Sequence, residues 1–407
     1  MNGDFNHYYE IIQIKTVNNN LYISLCWLIT LSLVSTQRKH RVVVVVHKRK
    51  KKLTLIKMKH LVKITLALFI LQGCSNTELK QTEVTQKSSY LDYSDRDDKL
   101  SGGVKMIPIQ TTAGEFKVWT KRVGNNPTMK VLLLHGGPGA THEYFEIFDS
   151  YFPNEEIEYY YYDQLESFYS DQPNDSSLWS VERYVDEVEQ VRKALGLNAD
   201  NFFLYGSSWG GILAMEYALK FEQNLKGLIV SNMMASIPNY IKYANDVLGP
   251  QLPPDVLKEI RALEANGDYG NPRYSELVYT NFYPEHVLRM PLENWPNPVN
   301  RAFANINSDL YVTMQGPSEF GVVGDAKLKN WDIKSELSKI STPTLTIGGA
   351  YDTMDPEHMK WIASEVQNGQ YLHCPNGSHL AMYDDAEIYF DGLIQFIKNV
   401  DKQSNVE

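Results

Sequence analysis

Residues 201–221 read NFFLYGSSWGGILAMEYALKF, and no other stretch constrains the fold as much. An apolar strand runs into a turn with a serine pair between glycines, and an apolar helix follows. The pattern GxSxG is met as Gly206-Ser207-Ser208-Trp209-Gly210, with Ser208 at its centre. Centring it on Ser207 would need glycines where Tyr205 and Trp209 stand. A serine at such a corner sits on a sharp strand-to-helix turn with its hydroxyl exposed, and the glycines let strand and helix approach closely. GxSxG alone is common. Between an apolar strand and an apolar helix it predicts an α/β sheet that arms a nucleophile.

The flanking sequence has the matching rhythm. KVLLLHGGPG (130–139) predicts a buried strand entering a glycine-rich loop, and IEYYYYDQ (157–164) predicts a second strand. Ser180 is a helix cap, with Glu182 in the first turn and Gly196 as the stop. Between them Val181, Tyr184, Val185, Val188, Val191 and Leu195 form one apolar stripe at helical period. Strands are expected at 226–232, 342–349 and 370–374, and helices near 356–367 and 384–399. Strand–helix alternation with apolar strands predicts a mainly parallel sheet covered by helices on both faces. The rhythm breaks over residues 236–330, rich in Pro, Asn, Tyr and Trp, which read as an inserted, mostly helical cap. The core is therefore expected in two parts, 103–235 and 331–400.

Ahead of the core lies different material. LYISLCWLITLSLV (21–34) is apolar but 14 residues long, short of the about 20 that span a membrane. The pattern restarts at Met58: a short basic start, an apolar stretch from Ile64 to Leu71, and a small residue before Cys74. That is the build of a secretory signal peptide. Met58 is accordingly expected to be the true start, with 1–57 a mis-called upstream segment. Residues 75–102 are polar, without an apolar period, and read as a tether.

Charge follows the same division. Residues 1–74 carry 12 Lys and Arg against 2 Asp and Glu, which leaves 27 basic and 47 acidic residues in the remainder, a net of −20. Nucleic acid needs a basic face, so it is excluded as a partner. An acidic body does attract cationic groups such as a free amine. The three cysteines, Cys26, Cys74 and Cys374, make no disulfide framework, and no CxxC or HExxH supports a zinc site.

A serine nucleophile needs a base, and the base an orienting acid. In this architecture they follow in the order Ser, Asp or Glu, His. AYDTMDP places Asp352 just past a strand end, where catalytic groups gather, with Asp355 the second choice. CPNGSHLAMYDD places His379 in a loop after the next strand, ahead of His373, which lies inside that strand. The oxyanion needs two backbone donors: Trp209, directly after the nucleophile, and Gly137 of HGGPG. His135 reads as structural rather than as a base.

LLLHGGPGATHEYF, YYDQLESFYSDQP, GSSWGGILAMEYAL, MQGPSEF and GSHLAMYDD together resemble the proline iminopeptidases (prolyl aminopeptidases), serine peptidases of the α/β-hydrolase fold. The similarity runs over about residues 104–400. It implies release of an N-terminal residue, usually proline, from short peptides with a free N-terminus, without metal or cofactor. It also implies acidic cap residues that bind the substrate's amine: Glu319 in GPSEF, and a second for which Glu285 is the first choice and Glu293 the next. Trp295, Phe320 and Trp331 are candidates to wall a proline-sized pocket, and an esterase, amidase or lactonase on the same scaffold is the alternative. LQGC is similar to the lipobox of bacterial lipoproteins, although Gln72 is not the usual small or aliphatic residue. That resemblance implies acylation of Cys74 and a membrane-anchored place in the bacterial cell envelope, facing the periplasm or the exterior. The chain departs from the family pattern at Glu166 and Phe168, where relatives often have glycine, and these side chains are expected near the pocket mouth. Ser207 also departs, where His or Gln is common.

Overall fold

The computed structural model describes residues 89–92, 98 and 102–404. The segments 1–57 and 58–74, with Cys74, and most of 75–102 lie outside the described residues.

Eight strands form one sheet: β1 (Val104–Thr111), β2 (Gly114–Val123), β3 (Lys130–Leu134), β4 (Glu158–Asp163), β5 (Phe202–Ser207), β6 (Gly227–Ser231), β7 (Thr344–Gly349) and β8 (Gly369–Cys374). Their order is β1-β2-β4-β3-β5-β6-β7-β8. From β4 to β8 every neighbouring pair is parallel, while β1–β2 and β2–β4 are antiparallel. The hairpin β1–β2 has no counterpart in the expected pattern, which opens the sheet at Lys130. Its strands carry Lys105, Lys117, Lys121 and Arg122, and such charge suits an edge and blurs the apolar alternation.

Side chains alternate across the strands, so the inner strands feed two cores. On one face Leu132, Leu134, Leu204 and Val230 pack with Val185 and Val188 of α1 (Val181–Ala194) and Ile212 and Met215 of α2 (Trp209–Phe221). On the other, Val131, Leu133, Phe203, Ile229 and Ile347 pack with Phe145 and Phe148 and with the C-terminal helix Ala386–Ser404. Helix α1 forms where the sequence places it. Ser180 Oγ accepts from Arg183 N at 3.3 Å, Arg192 and Lys193 occupy its last turn, and Gly196 leaves it at φ 66°.

Between β6 and β7 the chain makes α3 (Ile237–Tyr243), α4 (Pro254–Ala265), α5 (Pro272–Asn281), α6 (Tyr283–His286), α7 (Asn297–Ala304) and α8 (Ser308–Met314). The two ends of this cap meet: Ser236 bridges Asp332, and backbone bonds join Ile237 to Trp331 and Ile333 to Ala235. After β7 come α9 (Pro356–Glu365), α10 (Ala381–Asp384) and α11 (Ala386–Ser404).

Candidate active site

The loops that leave the carboxyl ends of β3, β5, β6, β7 and β8 converge under the cap. This end of a parallel sheet is where α/β proteins place their sites. A cavity of about 210 Å³ lies there. Its floor is Gly136, Gly137, Ser207, Ser208, His379 and Leu380, and its roof includes Tyr283, Tyr311 and Glu319.

Ser208 has φ 54° and ψ −124°, a conformation rare for any residue with a side chain. The elbow closes only because of its glycines. A Cβ on Gly206 would fall 2.0 Å from Gly210 O, and one on Gly210 would fall 2.1 Å from Leu134 O. Trp209 begins α2, where backbone N–H groups have no partner within the helix. Gly137, at φ 107°, lines the cavity, while the N–H of Gly136 donates to Tyr144 Oη at 2.7 Å.

Past β7, Asp352 is fully buried and its charge is well satisfied. Oδ1 accepts from His379 Nδ1 at 2.8 Å and from Met354 N at 3.0 Å. Oδ2 accepts from Asn232 Nδ2 at 2.6 Å. Nδ1 of His379 carries the proton in this pairing, which leaves Nε2 as the acceptor of the neutral ring. Burial pushes the His379 pKa down, but the Asp352 carboxylate, by charge and hydrogen bond, and then Glu319 and Asp384 hold it above its ordinary 6.5. The backbone N–H of His379 donates to His286 O at 3.0 Å, and Ser378 Oγ donates to Val287 O at 2.9 Å. The cap thereby grips the histidine loop.

Glu319 is held by tyrosines. Tyr311 Oη donates to its Oε1 at 2.6 Å, Tyr240 Oη donates to its carbonyl at 2.7 Å, and its own N–H donates to Tyr283 Oη at 3.3 Å. Burial, and next the Glu319 charge, keep the Tyr311 phenol protonated as a donor. The other carboxylate oxygen, Oε2, is buried without a hydrogen-bond partner and lies 4.0 Å from His379 Nε2.

Other expected residues stand elsewhere. Glu285 is exposed and does not line the cavity. In the one-turn helix α6, Tyr283 and His286 share the buried side, so Glu285 between them faces out. Glu293 is exposed as well. Trp295 and Phe320 pack in a core cluster, and Trp331 Nε1 donates to Glu216, so Tyr144, Tyr279, Tyr283, Phe303 and Tyr311 are the aromatic lining instead. Asp355 caps α9 through Glu357 N at 3.0 Å, and His373 is exposed on β8 beside Tyr371. His135 is buried with its pKa lowered to about 4, first by desolvation, so it stays neutral. Its ring nitrogens meet Gly136 O and Gln164 N.

Glu166 and Phe168 do not line the cavity. Both have positive φ, 73° and 33°, which gives glycine a physical reason at these positions. The Glu166 carboxylate is buried and accepts from Trp179 Nε1, Asn174 N and Asp175 N, so it staples its own loop. Three neighbours had no signal in the sequence pattern. Asn232 and Thr353 touch Asp352, and Gln164 bridges His135 O and Trp209 Nε1. Asn232 also ends a buried chain in which Tyr205 Oη, Tyr389 Oη, Ser231 Oγ and Asn232 Oδ1 are joined at 2.5, 2.7 and 2.6 Å. Among the described residues no group of three or more His, Cys, Asp and Glu is placed to hold a metal ion.

A serine on a strained corner beneath a helical cap, at the end of a mid-sheet strand, defines the class, and residues 130–386 match the family of the alpha/beta hydrolase fold. The proline iminopeptidase of Elizabethkingia meningoseptica is 60% identical over 299 residues, covering 74% of this chain and 99% of that protein. That of Flavobacterium johnsoniae is 59% identical over 298 residues, covering 73% and 99%. Among solved structures, VinJ is similar with a TM-score of 0.67 at 28% identity, covering 73% of this chain and 99% of that one. The proline iminopeptidase of Mycobacterium smegmatis gives 0.65 at 25% identity, covering 74% and 100%. The chain belongs to the proline iminopeptidase family of α/β hydrolases, and it is a hydrolase.

Proposed function

We propose that this chain is a serine aminopeptidase that releases N-terminal proline, or another small residue, from short peptides. The observation that carries this reading is the bare, buried Oε2 of Glu319 in the same cavity as Ser208. A buried carboxylate oxygen with no donor among its protein neighbours calls for a cation, and a peptide's terminal ammonium is one. Pairing there fixes the chain end and sets which carbonyl meets the serine.

In this reading Ser208 Oγ attacks the carbonyl carbon of the first residue while His379 Nε2 takes its proton. Asp352 keeps Nδ1–H in place and stabilises the imidazolium. The Gly137 and Trp209 amides receive the oxyanion. The imidazolium then gives its proton to the leaving amine, the C–N bond breaks, and an acyl-enzyme remains on Ser208. Water, deprotonated by His379, attacks the ester and regenerates the serine.

The test compares prolyl-, alanyl- and N-acetyl-prolyl-p-nitroanilide on the full chain and on Ser208→Ala. The expected outcome is turnover of the free-amine substrates, at least 100-fold slower cleavage of the acetylated one, and loss of nearly all turnover in the variant. Equal rates on free and blocked substrates would instead indicate an esterase or amidase on this scaffold.

A further inference from the structure

Nε2 of His379 has to be free of a proton for base chemistry, and it lies 4.0 Å from the unpartnered Oε2 of Glu319. The twin oxygen, Oε1, is already satisfied by Tyr311. A buried carboxylate with one bare oxygen favours any cation that reaches it. Two cations can reach this one. The first is the imidazolium of His379, which has a donor on each nitrogen. The second, on the aminopeptidase reading on which this inference rests, is the substrate's ammonium.

We propose that Glu319 gates the reaction as well as holding the amine: in the empty site it pairs with protonated His379, and an arriving ammonium replaces that pairing, so the ring sheds a proton and becomes the base. The proton on Nε2 leaves to solvent as substrate binds. The proton on Nδ1 stays in its bond to Asp352. Nε2, now vacated, accepts the Ser208 proton. No oxidant, reductant or further reactant enters the step.

The groups facing His379 are consistent with this. Asp352 follows β7, Glu319 comes from the cap, and Asp384 ends α10, and all three favour the charged ring. The phenols of Tyr144, Tyr279, Tyr283 and Tyr311 around the cavity are held neutral, in each case first by burial. The arriving ammonium adds positive charge beside the ring. The free amine is then read twice, once in binding and once in switching on the base. A substrate of similar shape without the amine loses affinity and, below the acidic limb of the free enzyme, kcat as well.

The pH dependence of the full chain tests the gate. The acidic limb of kcat/KM reports His379 in the free enzyme, and that of kcat reports it in the complex. With prolyl-p-nitroanilide the kcat limb should lie about one pH unit below the kcat/KM limb. With p-nitrophenyl acetate, which has no ammonium, the two limbs should coincide. Glu319→Gln should lower the acetate limb by about one pH unit, so that its rate at pH 6 relative to pH 8 rises several-fold. Coincident limbs on the prolyl substrate, or an acetate limb that Glu319→Gln leaves in place, overturn the proposal. The wild-type comparison needs no variant to fold. If no prolyl substrate turns over, the aminopeptidase reading fails by itself, and the acetate comparison still decides whether Glu319 and His379 are paired.

Discussion

Asn232, at φ 53° just after β6, reaches the one oxygen of Asp352 that His379 does not use. Truncation would leave a buried carboxylate oxygen without its donor, at a cost of about 1–3 kcal/mol. Asn232→Ala should therefore lower kcat about tenfold with little change in KM, and lower the denaturant midpoint. Asn232→Asp should be worse than alanine, because it sets a second carboxylate against Asp352; steady-state kinetics of both variants checks the order. At this scale the sequence is uneven. Ser208, Asp352 and His379 carry local signals: a glycine-flanked corner, a strand end and a fixed order along the chain. Asn232 and Thr353 are single polar residues after strands and repeat no pattern. Glu285 fails because one helical turn does not advertise which side faces in. Glu166 and Phe168 fail because a loop residue's φ is invisible until the loop is built.

Among the side chains that fasten the cap to the core, one cluster sits on α7. Arg301 on α7 pairs with Glu143 and, at 2.5 Å, with Glu146, while Asn305 donates to Glu143 at 3.1 Å. An exposed pair contributes little, but Glu143 is buried, and loss of the guanidinium would cost about 1–2 kcal/mol. Helix α7 also brings Ala302 and Phe303 to the cavity. Arg301→Ala should thus raise KM for prolyl-p-nitroanilide about three- to tenfold with a smaller change in kcat. Amide exchange should quicken in α7 and not in β5. The parallel strands and covering helices were legible because their apolar runs have one period throughout. The hairpin β1–β2 was not, since an edge strand with one wet face and many lysines dilutes that period. The break in rhythm marks where strand–helix alternation stops, but the helices of that stretch are short, most of them with proline in the first turn, and their packing is set by contacts distant in sequence.

Across the molecule, acid should act through buried neutral histidines. His135 and His358 both have pKa values lowered to about 4, first by desolvation. The unfolded chain binds their protons near pH 6.5 and the folded chain does not, so stability is full above about 6.5 and falls as pH drops toward 4, by about 3 kcal/mol each. His379, with a raised pKa, contributes in the opposite direction: its share is present below 6.5 and is lost as pH rises through its folded value. The expected net result is a midpoint in urea that declines steadily from pH 7 to pH 4.5, and a flat profile would contradict it. The joined ends of the cap, Ser236 against Asp332, have a further consequence. A segment that departs and returns at one point can be exchanged between relatives by recombination without moving β6 against β7. The surface that selects the substrate can therefore diverge on its own, while the hydrolytic floor is inherited intact. A replacement must still offer the backbone carbonyls that His286 and Val287 now lend to the histidine loop, and a partner for buried Glu143.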